Sequence, residues 1–168
     1  MPQSNIKPNT LAFIGLSNEY CVAVENARES ERDDFVASMT RLLPRIYISA
    51  SDLDADNQAD SYIDEALDED YYDSVRRNIE TLLGEDDSYL EVFEEDMKYS
   101  DTPIAASIAE SLADIFQVLY NFLETVRDAP EDLINDAVTV IAEDFRHYWS
   151  RTLCNVLRAL NAVRYQHD

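Results

Sequence analysis

Apolar positions recur every three or four residues between 103 and 128. Ile104, Ile108, Leu112, Ile115, Phe116, Val118, Leu119, Phe122, Leu123 and Val126 fall within an arc of roughly 160° on a helical wheel. An apolar face that wide needs neighbours on more than one side, so the pattern predicts a central helix inside a packed domain. Asp101 or Thr102 is placed to cap it, with Pro103 in the first turn, where a missing amide is tolerated. After a short break at Asp128 and Ala129, Pro130 opens a last long helix. Its residues Phe145, Trp149, Leu153, Val156, Leu157, Leu160 and Val163 share one face. A connection of about two residues makes these helices antiparallel neighbours and the core hairpin of the molecule.

Upstream the same period recurs. Asn9 or Thr10 can cap a first helix running to about Ala27, with Leu11, Ile14, Cys21, Val22 and Val24 apolar. A second helix is expected from Ser30, with Phe35, Met39, Leu42, Leu43, Ile46 and Tyr47 in phase. Pro44 inside that pattern predicts a bend and not a stop. Residues 52–73 lose the period and predict an acidic loop or marginal helix. The pattern returns at Tyr72, Val75, Ile79, Leu82 and Leu83, and Gly84 suits the left-handed residue that ends a helix. Residues 85–102 alternate acids with apolar side chains and predict a short helical turn followed by a loop. The expected architecture is all-α: a single-domain antiparallel bundle of about five helices over residues 9–168, behind a flexible tail at 1–8.

Composition agrees with that class. A chain of 168 residues with 46% hydrophobic residues can bury a core without staples, and two glycines and five prolines are too few for the turns of an all-β fold. The two cysteines, Cys21 and Cys154, fit neither a disulfide framework nor a CxxC site, and read as buried thiols in a reducing compartment. The N-terminal residues lack a signal-peptide pattern, and no apolar run is long enough to cross a bilayer, so a cytoplasmic location is expected. A formal charge of −22 opposes phosphate backbones and anionic membranes, so neither nucleic acid nor membrane is an expected partner. The state expected is a monomer or small homo-oligomer.

Three stretches resemble, in order, the signature blocks of an uncharacterised bacterial family, "domain of unknown function 5063": LLGEDDSYLEVFEED at 82–96, SIAESLADIFQVLYNFL at 107–123 and WSRTLCNVLRALNAV at 149–163. The resemblance is good over the second half of the chain and looser over the first two helices. It implies a compact helical bacterial protein and brings no activity or catalytic residues with it.

Candidate chemistry is sparse. Residues 52–73 hold ten acids and no base, and Asp52, Asp54, Asp56 and Asp60 match positions 1, 3, 5 and 9 of an EF-hand loop. Asn57 replaces the glycine of that template, however, and Ile63 stands where a bidentate glutamate should close the shell, which makes a solvated acidic loop the simpler reading. A di-metal bundle needs paired Glu-x-x-His motifs, and Asp144 with His147 gives one imperfect copy while Arg164 precedes His167. Along a helix His147 and Cys154 lie about 10 Å apart, too far for a nucleophile–base pair. Cys21 could meet His147 only through the fold. No catalytic, cofactor or metal site is assigned.

Residues 145–167 contain Arg146, Arg151, Arg158 and Arg164 and no acid. Arg146 and Arg164 border the apolar arc, where an internal ion pair with Asp114 is one expectation and a solvated guanidinium over an apolar surface is the other. Five of the ten tyrosines, Tyr62, Tyr71, Tyr72, Tyr89 and Tyr99, lie in the acidic middle. Either they form a surface for a basic partner or their rings fold back over the bundle.

Three functions follow as expectations. The first is a non-enzymatic interaction or adaptor protein that binds a basic partner through residues 52–101. The second is a nucleic-acid mimic that inhibits a DNA- or RNA-binding protein, and it needs acids in rows at phosphate-like spacing. The third is a small-molecule binder or enzyme with a bundle-core pocket lined by groups such as Asp114, Tyr120, Arg146 and His147.

Overall fold

The computed structural model describes residues 6–55, 63–90 and 105–165. Helix α1 (Pro8–Glu25) leads through a 3-10 turn (Ala27–Glu29) to α2 (Arg32–Ser51). Helix α3 (Glu69–Leu83) and a second 3-10 turn (Gly84–Asp87) precede β1 (Ser88–Leu90). Strand β2 (Ala105–Ser107) runs directly into α4 (Ile108–Val126). Helix α5 (Glu131–Asp144), a π-helical turn (Phe145–Trp149) and α6 (Ser150–Tyr165) then form one continuous rod. The protein is an all-α bundle, with one small two-stranded sheet among the described residues.

Helix α4 is central: α1, α3, α5 and α6 all pack on it, while α2 closes the far side against α1 and α6. Its buried face holds Ile108, Leu112, Ile115, Phe116, Leu119, Phe122 and Val126. Trp149 and Phe145 bury the facing side of the last rod with ring centroids 4.6 Å apart, and Phe13 of α1 meets both Phe122 and Trp149. The buried Tyr20 hydroxyl donates to the Leu112 carbonyl at 2.6 Å, pinning α1 to α4. Loss of water there raises its pKa well above the ordinary value, with the nearby Cys21 and Asp114 adding to the rise.

Several helix boundaries differ from the expected ones. Helix α1 begins at Pro8, a residue suited to an open first turn, and Lys7 is its N-cap. Asn9, the expected cap, instead reaches α2, where it exchanges two 3.0 Å hydrogen bonds with Ser49. Helix α2 starts at Arg32 and not Ser30, whose hydroxyl donates back to Asn26, and it runs past Pro44 to Ser51. Helix α3 starts within the expected acidic loop because the Asp68 carboxylate accepts from the Asp70 amide, an N-cap that makes Tyr71 and Tyr72 helical. Gly84 ends α3 at φ +59°, as its placement predicted.

The largest difference is at the entry to α4. The expected cap and first turn, Asp101 to Pro103, lie outside the described residues. The helix starts at Ile108, after Ala105, Ala106 and Ser107 pair antiparallel with Leu90, Tyr89 and Ser88. Ser107 is the N-cap, and its hydroxyl accepts from the Glu110 amide at 3.1 Å. Asp87 completes the joint by accepting from the Ala109 amide and the Ser107 hydroxyl at 2.7 and 2.6 Å. A 3-10 turn follows at Gly84–Asp87, but Tyr89 and Leu90, expected in an amphipathic helical turn, lie in the strand Ser88–Leu90, and the rest of that expected turn lies outside the described residues.

Candidate functional site

The acidic middle of the chain takes its shape from α4. The Asn121 side-chain oxygen accepts from the Ala66 and Leu67 amides at 3.0 and 2.8 Å, and the Thr125 hydroxyl accepts from the Asp64 amide at 3.0 Å. Ile63 and Leu67 tuck against the core. This strap holds the backbone of residues 63–67 on the bundle while Asp64, Glu65, Asp68, Glu69 and Asp70 all project into solvent. None of these five forms an ion pair with a described residue; Asp73, next on α3, lies 3.8 Å from Arg76. The result is a compact carboxylate face at the start of α3.

The tyrosines of this region turn inward. Tyr71 packs its ring on Phe116 and Tyr120, with centroids 5.9 and 6.0 Å away, and its hydroxyl donates to Glu25. Tyr72 donates to Asp114, and the Tyr89 hydroxyl lies 3.0 Å from the Ser111 hydroxyl. Burial, followed by the hydrogen bond to a carboxylate, raises the pKa of Tyr71 and of Tyr72. Three of the five expected surface tyrosines therefore cover the bundle. Tyr62 and Tyr99 lie outside the described residues.

The remaining candidates do not converge. Asp114 sits on the α3–α4 seam. Partial loss of water raises its carboxyl above the ordinary value, the Tyr72 hydroxyl pulls it back, and Glu110 raises it again. Neither expected arginine is its partner. Arg164 donates to the Thr40 hydroxyl of α2 at 2.7 Å and lies 5.0 Å from the Tyr165 ring, while Arg146 is exposed on the π turn. His147 is 65% exposed, with Glu143 3.6 Å away, whereas Cys21 is sealed in the core and its thiol is pushed up to about 12. Cys154, expected to be buried, is exposed, because Leu153, Val156 and Leu160 face inward and leave position 154 outside.

Asp54 of the EF-hand-like template pairs with Lys7, and Asp56 and Asp60 lie outside the described residues. Among the described residues no three His, Cys, Asp or Glu side chains are grouped to hold a metal ion. No helix among them is long and apolar enough to cross a membrane.

Among the described residues the site has charge and shape but no set of catalytic groups brought together, and the bundle defines a helical protein with charged outer faces. The chain belongs to the family described as "Domain of unknown function (DUF5063)", whose model matches residues 4–166. It is similar in structure to protein BF1032 from Bacteroides fragilis, a crystal structure with 27% identity over 96% of each chain and a TM-score of 0.82. None of the curated proteins matches the chain.

Proposed function

We propose that this chain is a non-enzymatic cytoplasmic interaction protein that binds a basic partner through the carboxylate face at residues 64–73. The observation behind this reading is the cluster Asp64, Glu65, Asp68, Glu69 and Asp70, exposed and without ion pairs among the described residues, on a backbone strapped to α4 by Asn121 and Thr125. Carboxylates fixed on a rigid support attract a cationic surface and lose little conformational freedom when it arrives. The inward tyrosines leave the recognition to charge.

The test uses a fluorescein-labelled peptide of alternating lysine and glycine, titrated with the full chain and followed by anisotropy. Binding is expected to weaken steeply as added salt shortens the Debye length from about 10 Å to about 3 Å. The triple variant Glu65→Gln, Glu69→Gln, Asp70→Asn should bind at least about tenfold more weakly than the native chain, a loss of roughly 1.4 kcal/mol. Removing the same charge elsewhere, at the exposed Glu29, Asp34 and Asp132, should have much less effect. Equal losses in the two variants would show that net charge alone attracts the peptide, and the assignment of the face would fall.

A further inference from the structure

On another side of the bundle, α2 and α6 border a cleft of about 560 Å³ that is more open to solvent than enclosed. Pro44 and Leu157 give it an apolar floor, Arg164 and Tyr165 stand along its rim, and Arg158 stands between it and a second hollow lined by Glu85, Asp86 and Leu90. We propose that this cleft is a docking site for an acidic amphipathic helix of a partner protein, whose apolar side lies on Pro44 and Leu157 and whose carboxylates meet Arg158 and Arg164.

The arginines carry the inference. In a chain with 35 acids and 13 bases, a surface arginine is expected to find a carboxylate. These two are held by neutral oxygens instead: Arg158 donates to the Leu90 backbone carbonyl and Arg164 to the Thr40 hydroxyl. Each guanidinium has five donors, so both are oriented while keeping donors for a ligand. A planar fork already fixed in place loses little freedom on meeting a carboxylate, and the pairing can be bidentate. The rod is free of acids from Phe145 to the end of α6. At physiological salt the Debye length is about 8 Å, so a ligand in the cleft responds mainly to charges near it and not to the net charge of the molecule.

Shape decides between a small anion and a helix. A small-molecule site usually encloses roughly 70–90% of its ligand, and a cleft more open than enclosed does not do that. Its lining on α6 runs from Cys154 to Tyr165, three helical turns and about 16 Å of rise. That matches a partner helix anchored at positions i, i+3 or i+4, and i+7.

The probe is a fluorescein-labelled helical peptide of leucine and glutamate with its leucines at that spacing, read by anisotropy against the full chain at physiological salt. Saturable binding is expected, at least about tenfold tighter than that of the matching leucine–glutamine peptide. The double variant Arg158→Gln, Arg164→Gln should lose at least about tenfold in affinity, whereas Arg127→Gln, an arginine paired with Glu124, should lose none. Independently of any variant, saturating peptide should slow maleimide labelling of Cys154. Cys21 is 3% exposed, so labelling of the folded chain reports on the cleft. Equal binding of the two peptides, an unaffected double variant or an unprotected Cys154 would each overturn the proposal. So would a concentration-dependent dimer that the double variant abolishes, because the cleft would then be an interface between copies of this chain.

Discussion

The carboxylate face of α3 and the arginine cleft of α2 and α6 are both charged, yet they are built on different principles. On α3 the charges stand on the solvent side of a strapped backbone, no cavity is needed, and recognition rests on field strength. In the cleft the charges stand beside an apolar floor and are oriented by neutral hydrogen bonds, so recognition rests on shape as well. Surface charge alone therefore gives attraction with little selectivity, and charge fixed beside apolar surface gives register. Helix α4 supports both, since α3 and α6 each pack on it.

That shared support makes Phe116 the most damaging position to alter. Phe116→Ala removes a fully buried ring beneath Tyr71 and is expected to cost about 3–5 kcal/mol in urea unfolding, with both binding activities falling together. A variant of this kind that abolished one activity and spared the other would show that the two faces do not depend on a common core. Gly84→Ala forces a side chain onto a backbone at φ +59° and should cost about 1–3 kcal/mol. Hydrogen exchange should then quicken at the end of α3 and in the β1–β2 hairpin, and much less in α6.

Asp87→Ala deprives the Ala109 amide and Ser107 hydroxyl of their acceptor and should cost about 1–2 kcal/mol. Because Leu90 of the same hairpin holds Arg158, that variant should weaken the glutamate peptide more than the lysine peptide. The smallest effect is expected at Asp114. The folded state holds this proton more tightly than the unfolded chain does, so the ionised carboxyl weakens the fold at neutral pH and ceases to do so below the carboxylate range. Asp114→Asn should raise the thermal midpoint at neutral pH, and the gain should vanish as pH falls through that range.

Most of the bundle was legible because its helices have wide apolar faces. Leu112, Phe116, Leu119 and Phe122 announce α4 by spacing alone, and Gly84 marks the end of α3 by its conformational freedom. The entry to α4 was not legible. Ala105, Ala106 and Ser107 have no strand pattern of their own and are extended because Ser88, Tyr89 and Leu90 pair with them. Pro103 followed by apolar residues suggested an earlier start. The inward turn of Tyr71 and Tyr72 was one of two readings of the acidic middle, and the sequence did not choose between them because their partners, Glu25 and Asp114, lie on other helices. The cleft escaped because it needs Pro44 and Leu157, which are far apart in sequence, to share one floor.

The π turn did leave a trace. Ile141, Phe145, Trp149 and Leu153 are all buried at successive intervals of four. Those twelve residues span roughly 3.3 turns of α-helix, which would swing the last of them well away from the first. The wider π turn absorbs the drift: the Ser150 amide reaches back to the Phe145 carbonyl, and the Trp149 indole donates to the Ile141 carbonyl at 3.4 Å.

The last rod thus contains one residue of slack, and that slack aims α6. Without it, Leu153 and everything after it would be rotated about 100° relative to α5. Arg158 and Arg164 would no longer point where Leu90 and Thr40 can steady them. A local irregularity in winding, some way from the cleft, sets which side of the molecule presents its positive charge.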